Sequence, residues 1–235
     1  MRHSRLIFAL VSTCVLFGAV WSIGANATES KPEWQVTKGG VKQTLLAGES
    51  ENLNQTITTI KNWVFKQTQG AGITVQCSGL KFNSSEGNRI TGLRGFTAGA
   101  VLFEGCKVTA PAGDTSCEVL STGFPNGQIR TQSLGFSAEE ALTGSTTTPR
   151  VRWRPESTRE EIVTIQLKGA SCLHAGSYEI AGLLVANIDT SAQKKAHQWS
   201  FTKNTGTHLE IGKVEAEFSG TGEFSLKSGN EWGDG

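Results

Sequence analysis

The chain has little of what most enzymes and membrane proteins display openly. It holds one tyrosine, one methionine, five prolines and only three aspartates, Asp114, Asp189 and Asp234. So few aspartates exclude calcium-binding loops, which cluster several oxygen ligands closely in sequence. No G-x-S-x-G elbow, H-E-x-x-H, H-x-H or C-x-x-C occurs, and neither does a glycine-rich phosphate loop. The sequence marks of serine hydrolases, zinc proteases, dithiol redox sites and nucleotide binders are therefore missing. Charge of one sign is missing too. Lys+Arg 22 against Asp+Glu 21 gives no electrostatic reason to expect nucleic acid or an anionic membrane as partner. No pattern asks for a cofactor or a resident metal.

What is present begins with an export signal. Arg2, His3 and Arg5 precede an apolar run from Leu6 to Trp21, and Ala25 and Ala27 form a small-x-small cleavage site. Residues 1–27 read as a secretory signal peptide with a helical apolar stretch. About 15 uninterrupted apolar residues fall short of the roughly 20 that a spanning helix needs. Cys14 is no lipid-attachment site, because Val11-Ser12-Thr13 before it is a poor signal for one. Cleavage after Ala27 removes two arginines and no acid, moving the formal charge from +1 to −1. No apolar run of membrane-spanning length follows. Residues 28–235 have a length at which single all-β domains are ordinary.

Twenty-eight glycines and abundant Thr and Ser suit many short strands joined by turns. GITVQC alternates Ile73, Val75 and Cys77 with Thr74, Gln76 and Ser78, as a half-buried strand does. VTIQLKG repeats that frame later in the chain, and Val214, Ala216 and Phe218 alternate with Lys213, Glu215 and Glu217. Gly92, Gly95, Gly99 and Gly105 break what would otherwise be an apolar helix. Pro125-Asn126-Gly127 and Gly220-Thr221-Gly222 read as turns, and Ala181-Gly182 as a break between two strands. Ser137-Ala-Glu-Glu140 is a capping box, so one helical turn is expected at Ser137 to Leu142. TGSTTTPR after it reads as the one internal linker. The fold class expected is all-β, an antiparallel β-sandwich or open barrel with at most one short helix.

Cys77, Cys106, Cys117 and Cys172 remain after cleavage. An even number in an exported chain points to two disulfides, out of three connectivities. Pro111 to Asp114 is a turn that would bring Cys106 and Cys117 together, so these two are expected to pair. Cys77 with Cys172 follows by elimination.

Candidate functional residues each carry a plainer reading. PRVRWRP is the one basic stretch with an aromatic in it, and Trp153 with Arg152 and Arg154 could form a binding surface. The plainer reading, which weighs more, is a strand with Val151 and Trp153 inward and the arginines in water. Exposed Trp153 or Trp199 would mark a binding module, whereas a structural role buries both. Glu49 and Glu51, Glu139 and Glu140, Glu160 and Glu161, and Glu215 and Glu217 are candidate acid and base pairs for glycosidase-like hydrolysis. All sit where charge serves solubility. His174, His197 and His208 are isolated in sequence, and Cys172 with His174 reads as an oxidised cysteine beside a surface imidazole rather than a nucleophile and base.

Glu33-Trp34, Leu46 to Ser50, Val75 to Cys77, Val101 to Cys117, Gly169 to Gly182 and Glu231 to Gly233 together resemble a set of uncharacterised secreted proteins of actinobacterial genomes. The cysteine contexts are the most specific part, and the matches span nearly all of residues 28–235. That resemblance implies an extracytoplasmic compartment and no established activity. The expectation is an exported, disulfide-stapled β domain that binds an unidentified ligand or envelope component without catalysis. A secreted hydrolase using paired Glu is the alternative.

Overall fold

A computed structural model describes residues 32–82, 88–92, 99–143, 146–156, 160–202 and 207–234, with the backbone alone at 55–61, 142–143 and 146. The signal peptide expected at residues 1–27 lies outside the described residues. Residues 31–235 form one compact unit.

The strands run β1 (Trp34–Lys38), β2 (Val41–Thr44), β3 (Ser50–Gln67), β4 (Thr74–Cys77), β5 (Gly79–Phe82), β6 (Arg89–Thr91), β7 (Val101–Glu104), β8 (Lys107–Ala110) and β9 (Glu118–Ser121). They continue as β10 (Gln128–Arg130), β11 (Leu134–Thr143), β12 (Thr146–Pro155), β13 (Glu161–Lys168), β14 (Gly176–Ile188), β15 (Ala196–Phe201), β16 (His208–Ile211), β17 (Val214–Leu226) and β18 (Glu231–Asp234). A single 3-10 turn at Ala112–Asp114 lies between β8 and β9. The all-β expectation is therefore met. Alternation decides which face each residue takes: in β4 and β13, buried Val75, Cys77, Ile165 and Leu167 are interleaved with half-exposed Thr74, Gln76, Thr164 and Gln166.

Fifteen strands form one sheet, in the order β5-β7-β10-β9-β13-β14-β15-β17-β3-β4-β8 with four strands branching from that path. Its two ends belong to one ribbon. β4 pairs with β8 and β5 with β7, and the register that sets Gln76 opposite Lys107 also sets Gly79 opposite Glu104. Residues 74–82 and 101–110 are thus one antiparallel pair, interrupted in the middle. Since β4 also pairs with β3, and β7 with β10, the sheet returns on itself, as in a barrel. The β9–β10 pair is parallel, so the Pro125-Asn126-Gly127 turn does not make a hairpin.

β14 is a single strand where the sequence suggests two. Gly182, at φ +120°, lies where its partners change: β13 pairs as far as Ala181 and β16 as far as Leu183, and β12 and β15 take over from Leu184 and Ala186. A Cβ there would stand 2.2 Å from the His208 carbonyl oxygen, so glycine is required. Trp63, Phe65, Phe103, Phe201 and Phe218 fill the interior, with ring centroids 4.7 Å apart for Phe65 and Phe218 and 5.8 Å for the stacked Trp63 and Phe218. Gly220 lies under Trp63, where a Cβ would come within 2.3 Å of the indole. A second aromatic group joins Trp153, Trp199 and Phe224 to Phe82 and Phe136.

A three-stranded sheet, β18-β1-β2, completes the unit. Trp34 packs on Trp232 within it, and it meets the rest through a bridge between Lys194 and Trp232 and through the ring contact of Trp232 with Trp199 on β15.

Two local expectations are overturned by long-range pairing. Ser137 to Leu142 is strand, not helix: β11 pairs with β12 along its whole length, Phe136 and Ala138 face inward, and Glu139 bonds Arg152 at 2.7 Å. Ten cross-strand pairs outweigh one capping signal. Of TGSTTTPR, residues 146–150 belong to the returning strand of that hairpin rather than to a linker, with Thr143 opposite Thr146, and residues 144–145 lie outside the described residues.

The disulfides join Cys77 to Cys106 and Cys117 to Cys172, not Cys106 to Cys117. Gln76 opposite Lys107 fixes Cys77 opposite Cys106 across the ribbon that closes the sheet. Lys168 opposite Glu118 brings Cys172, just past β13, to Cys117, just before β9. By loop-closure entropy, bridges separated by 29 and 55 residues contribute about 3.5 to 4 kcal/mol each.

Candidate functional site

Three polar features stand out from the apolar interior. The first is a cleft of about 440 Å³ lined by residues that include Phe124, Arg130, Gln132, Glu161 and Thr164. It opens because strand pairing runs out. β9 ends at Ser121, and beyond it the segment after β10 meets β13 through the Gln132 N–H donating to the Ile162 carbonyl at 2.8 Å. The walls are held from behind. Ser121 Oγ accepts from the Arg130 N–H at 3.0 Å, Thr131 Oγ1 accepts from the Val101 N–H at 2.9 Å, and Asn126 Oδ1 accepts from the Val119 N–H at 2.9 Å. In the cleft the Arg130 guanidinium lies 5.4 Å from the centre of the Phe124 ring, and Thr164 donates to Glu161 Oε1 at 2.6 Å. Hydroxyls, one amide, one guanidinium and one carboxylate thus surround a single aromatic face. The size falls in the range of small-ligand sites.

The second feature is an aspartate–histidine pair beside a disulfide. Asp114 is wholly buried at the end of the 3-10 turn. Its Oδ1 accepts the His174 backbone N–H at 2.9 Å and its Oδ2 accepts His174 Nδ1–H at 2.5 Å. Burial pushes this carboxyl up, but the backbone and ring of His174 and the Leu173 N–H together outweigh it and hold the group below the ordinary Asp value. The Tyr178 hydroxyl donates to the His174 carbonyl at 2.9 Å, and burial together with the Asp114 charge pushes this phenol up. Cys117 Sγ lies 3.5 Å from Asp114 Oδ1.

The third is a second such pair, turned round. His197 is wholly buried, its Nε2–H donates to the Trp232 carbonyl at 2.7 Å, and its Nδ1 lies 3.1 Å from Asp189 Oδ1. Asp189 faces solvent and also takes Lys194 Nζ at 3.0 Å. This imidazole ties β15 to β18, hence the small sheet to the large one. Asp234, on β18, is buried, and among the described residues no group other than its own backbone N–H bonds its carboxylate. Burial first and Glu140 second push its carboxyl up, against its own backbone N–H, His197 and Lys42.

The structure separates the residues singled out from sequence. Trp153 and Trp199 are both wholly buried, so no aromatic platform exists at PRVRWRP. Arg152 pairs with Glu139, Arg150 bonds Asn187 at 3.0 Å, and Arg154 is exposed. All four cysteines are bridged. Glu51 pairs with Lys38 at 3.1 Å, and Glu49 caps the Leu46 N–H at 2.8 Å. Of the paired glutamates, Glu161 alone lines the cleft. His208 is exposed on β16. The roles of Asp114 and Asp189 lie outside those expectations, and their signal was scarcity: two of only three aspartates in the chain meet histidines.

No protein-family model matches this chain, and neither a curated protein nor a solved structure is similar to it.

Proposed function

We propose that this protein is an exported, disulfide-stapled β domain that binds a small, neutral, hydroxyl-rich ligand such as a saccharide, outside the cell or at the envelope, without catalysis. The cleft between the segment after β10 and β13 carries the reading. Thr122, Thr131, Ser133 and Thr164 offer hydroxyls, Gln132 an amide, and Arg130 and Glu161 one charge of each sign. Such a lining favours a ligand with many alternating donors and acceptors and no net charge. Export is supported by two disulfides, which persist in oxidising compartments, and by the Arg-led apolar start of the chain. No helix among the described residues is long and apolar enough to cross a membrane. The resemblance to secreted actinobacterial proteins agrees with that compartment and brings no activity.

Hydrolysis by paired glutamates gains no support from the cleft, whose one carboxylate is Glu161. Two are needed across a scissile bond.

The test is amide NMR of the mature chain titrated with maltose, cellobiose and diacetylchitobiose. Shifts confined to Thr122, Arg130, Gln132 and Thr164, and lost in Arg130→Ala, are expected with at least one sugar. Shifts elsewhere, or none with any sugar, would overturn the reading.

A further inference from the structure

The Asp114–His174 pair and the Cys117–Cys172 bridge form one cluster, and its chemistry changes with oxidation state. One ligand atom each from Asp114, Cys117 and Cys172 lie within 4.8 Å of one another. His174, whose Nδ1 is 2.5 Å from Asp114 Oδ2, stands next to that group but outside its 4.8 Å span. While the sulfurs are joined to each other they are not metal ligands. We propose that reduction of this bridge opens a site for a zinc-class divalent cation, built from the two cysteine thiolates, Asp114 and His174.

Two thiolates, one carboxylate oxygen and one imidazole nitrogen are a donor set that suits tetrahedral zinc rather than calcium or magnesium. Their arrangement in the chain is equally apt. Asp114-x-x-Cys117 and Cys172-x-His174 are two short chelating loops on separate elements, one entering β9 and one leaving β13. The first is already folded as a turn, with the Cys117 N–H on the Asp114 carbonyl at 2.9 Å, and the second leaves a turn closed by the Cys172 N–H on the Gly169 carbonyl at 3.1 Å. From bond lengths of about 2.3 Å to sulfur and about 2.0 Å to nitrogen or oxygen, tetrahedral ligands stand roughly 3.3 to 3.8 Å apart. Occupancy therefore asks the freed sulfurs to part to about 3.8 Å, the Asp114–His174 contact to widen by about 1 Å, and the half-exposed His174 ring to swing toward the sulfurs. Outer partners that orient the ligands are in place as well. The His174 backbone N–H holds Asp114, and Tyr178 holds the His174 carbonyl.

Approach is from the loop side. Leu173 is 75% exposed between the two ligands Cys172 and His174, and residues 169–171 around it are exposed. All four cysteines are buried, and the bridges differ in their neighbours: among the described residues the only cluster of three metal-ligating side chains is the one at Asp114.

The chemistry balances with a dithiol as reductant. Two electrons pass to the Cys117–Cys172 bond as it breaks, the dithiol closes to its own disulfide, and two protons end on the freed sulfurs. Cation binding then displaces both thiol protons to solvent, and the His174 ring proton passes from Nδ1 to Nε2 by exchange with solvent, leaving two bound thiolates and an Nδ1 lone pair for the cation.

The experiment uses the mature chain, reduced with excess dithiothreitol, desalted anaerobically and titrated with cobalt(II). One equivalent should bind with thiolate-to-cobalt charge transfer and intense tetrahedral visible bands, and zinc should displace it. Cys77→Ser/Cys106→Ser should keep that signature. Cys117→Ser/Cys172→Ser should abolish it, and His174→Gln should weaken binding by at least about tenfold. Near-UV circular dichroism reports whether each reduced variant stays folded. Weak octahedral bands, no binding, or equal loss of the signature in the two double variants would each overturn the proposal, the last because any pair of thiols in an unfolded chain would then suffice.

Discussion

The two aspartate–histidine pairs are the same chemistry turned inside out. At Asp114–His174 the carboxylate is buried and the imidazole is 39% exposed, whereas at Asp189–His197 the imidazole is buried and the carboxylate is 30% exposed. In the first the buried member is an acceptor that gathers backbone N–H groups and ties a surface loop to the Cys117–Cys172 bridge. In the second it is a ring with an acceptor at each nitrogen, joining two sheets through the Trp232 carbonyl. The contrast teaches that the buried member sets the energetic weight of each pair, because it also holds backbone partners beyond the pair, the His174 N–H at Asp114 and the Trp232 carbonyl at His197.

The largest expected effect is therefore at Asp114. Asp114→Ala orphans backbone and ring donors beside a disulfide and should lower unfolding free energy by about 3 kcal/mol in urea titration. His197→Ala should follow at about 2 to 3 kcal/mol and should loosen the small sheet first, seen as faster amide exchange along β1 and β18 than in the large sheet. If loss of either exposed partner, through His174→Ala or Asp189→Ala, costs as much as loss of its buried mate, the contrast fails. Each is expected to cost less than that, about 1 to 2 kcal/mol, since the buried mate loses one partner and keeps its backbone one.

Acid and base sharpen the same contrast through Asp234. A carboxyl whose folded pKa is depressed, as at Asp114, stabilises in full above the ordinary Asp value of about 3.9, and that stabilisation drains away as pH falls through the folded value. Asp234 runs the other way: its folded pKa is raised, so its favourable contribution exists below the unfolded value and is lost as pH rises. Asp234→Asn should consequently stabilise the protein at pH 7, by about 1 kcal/mol, and do little at pH 3. Urea midpoints of Asp114→Asn and Asp234→Asn should shift in opposite directions at neutral pH. A fall in both would contradict the assignment of Asp234 as a buried carboxylate bonded by no group other than its own backbone N–H.

The strands were legible because alternation is a local signal that burial reads directly: Val75 and Cys77, Ile165 and Leu167, Phe218 and Ala216 all point inward as their spacing implies. The capping box at Ser137 was a true local preference overruled by a partner strand that sequence does not reveal. The bridges were misread for a related reason. Pro111 to Asp114 does turn, but the turn serves to place Asp114, while Cys106 finds Cys77 through a register set across a ribbon. Trp153 shows what charge patterning leaves open, since three flanking arginines are as compatible with a buried indole as with an exposed one. The cleft was nearly invisible, because it arises where β9 stops, and only Glu161 among its lining residues stands out for chemistry in the sequence.

The closure of the sheet by the ribbon of residues 74–82 and 101–110 underlies everything else, since it puts Cys77 against Cys106 and leaves Cys117 to Cys172. Tryptic digestion under non-reducing conditions separates the four cysteines onto four peptides, cut at Lys66, Lys81, Arg94, Lys107, Arg130, Lys168 and Lys194. Mass spectrometry should find the Cys77 peptide linked to the Cys106 peptide and the Cys117 peptide linked to the Cys172 peptide. A Cys106–Cys117 linkage would contradict the closed sheet and the loop anchored beneath it.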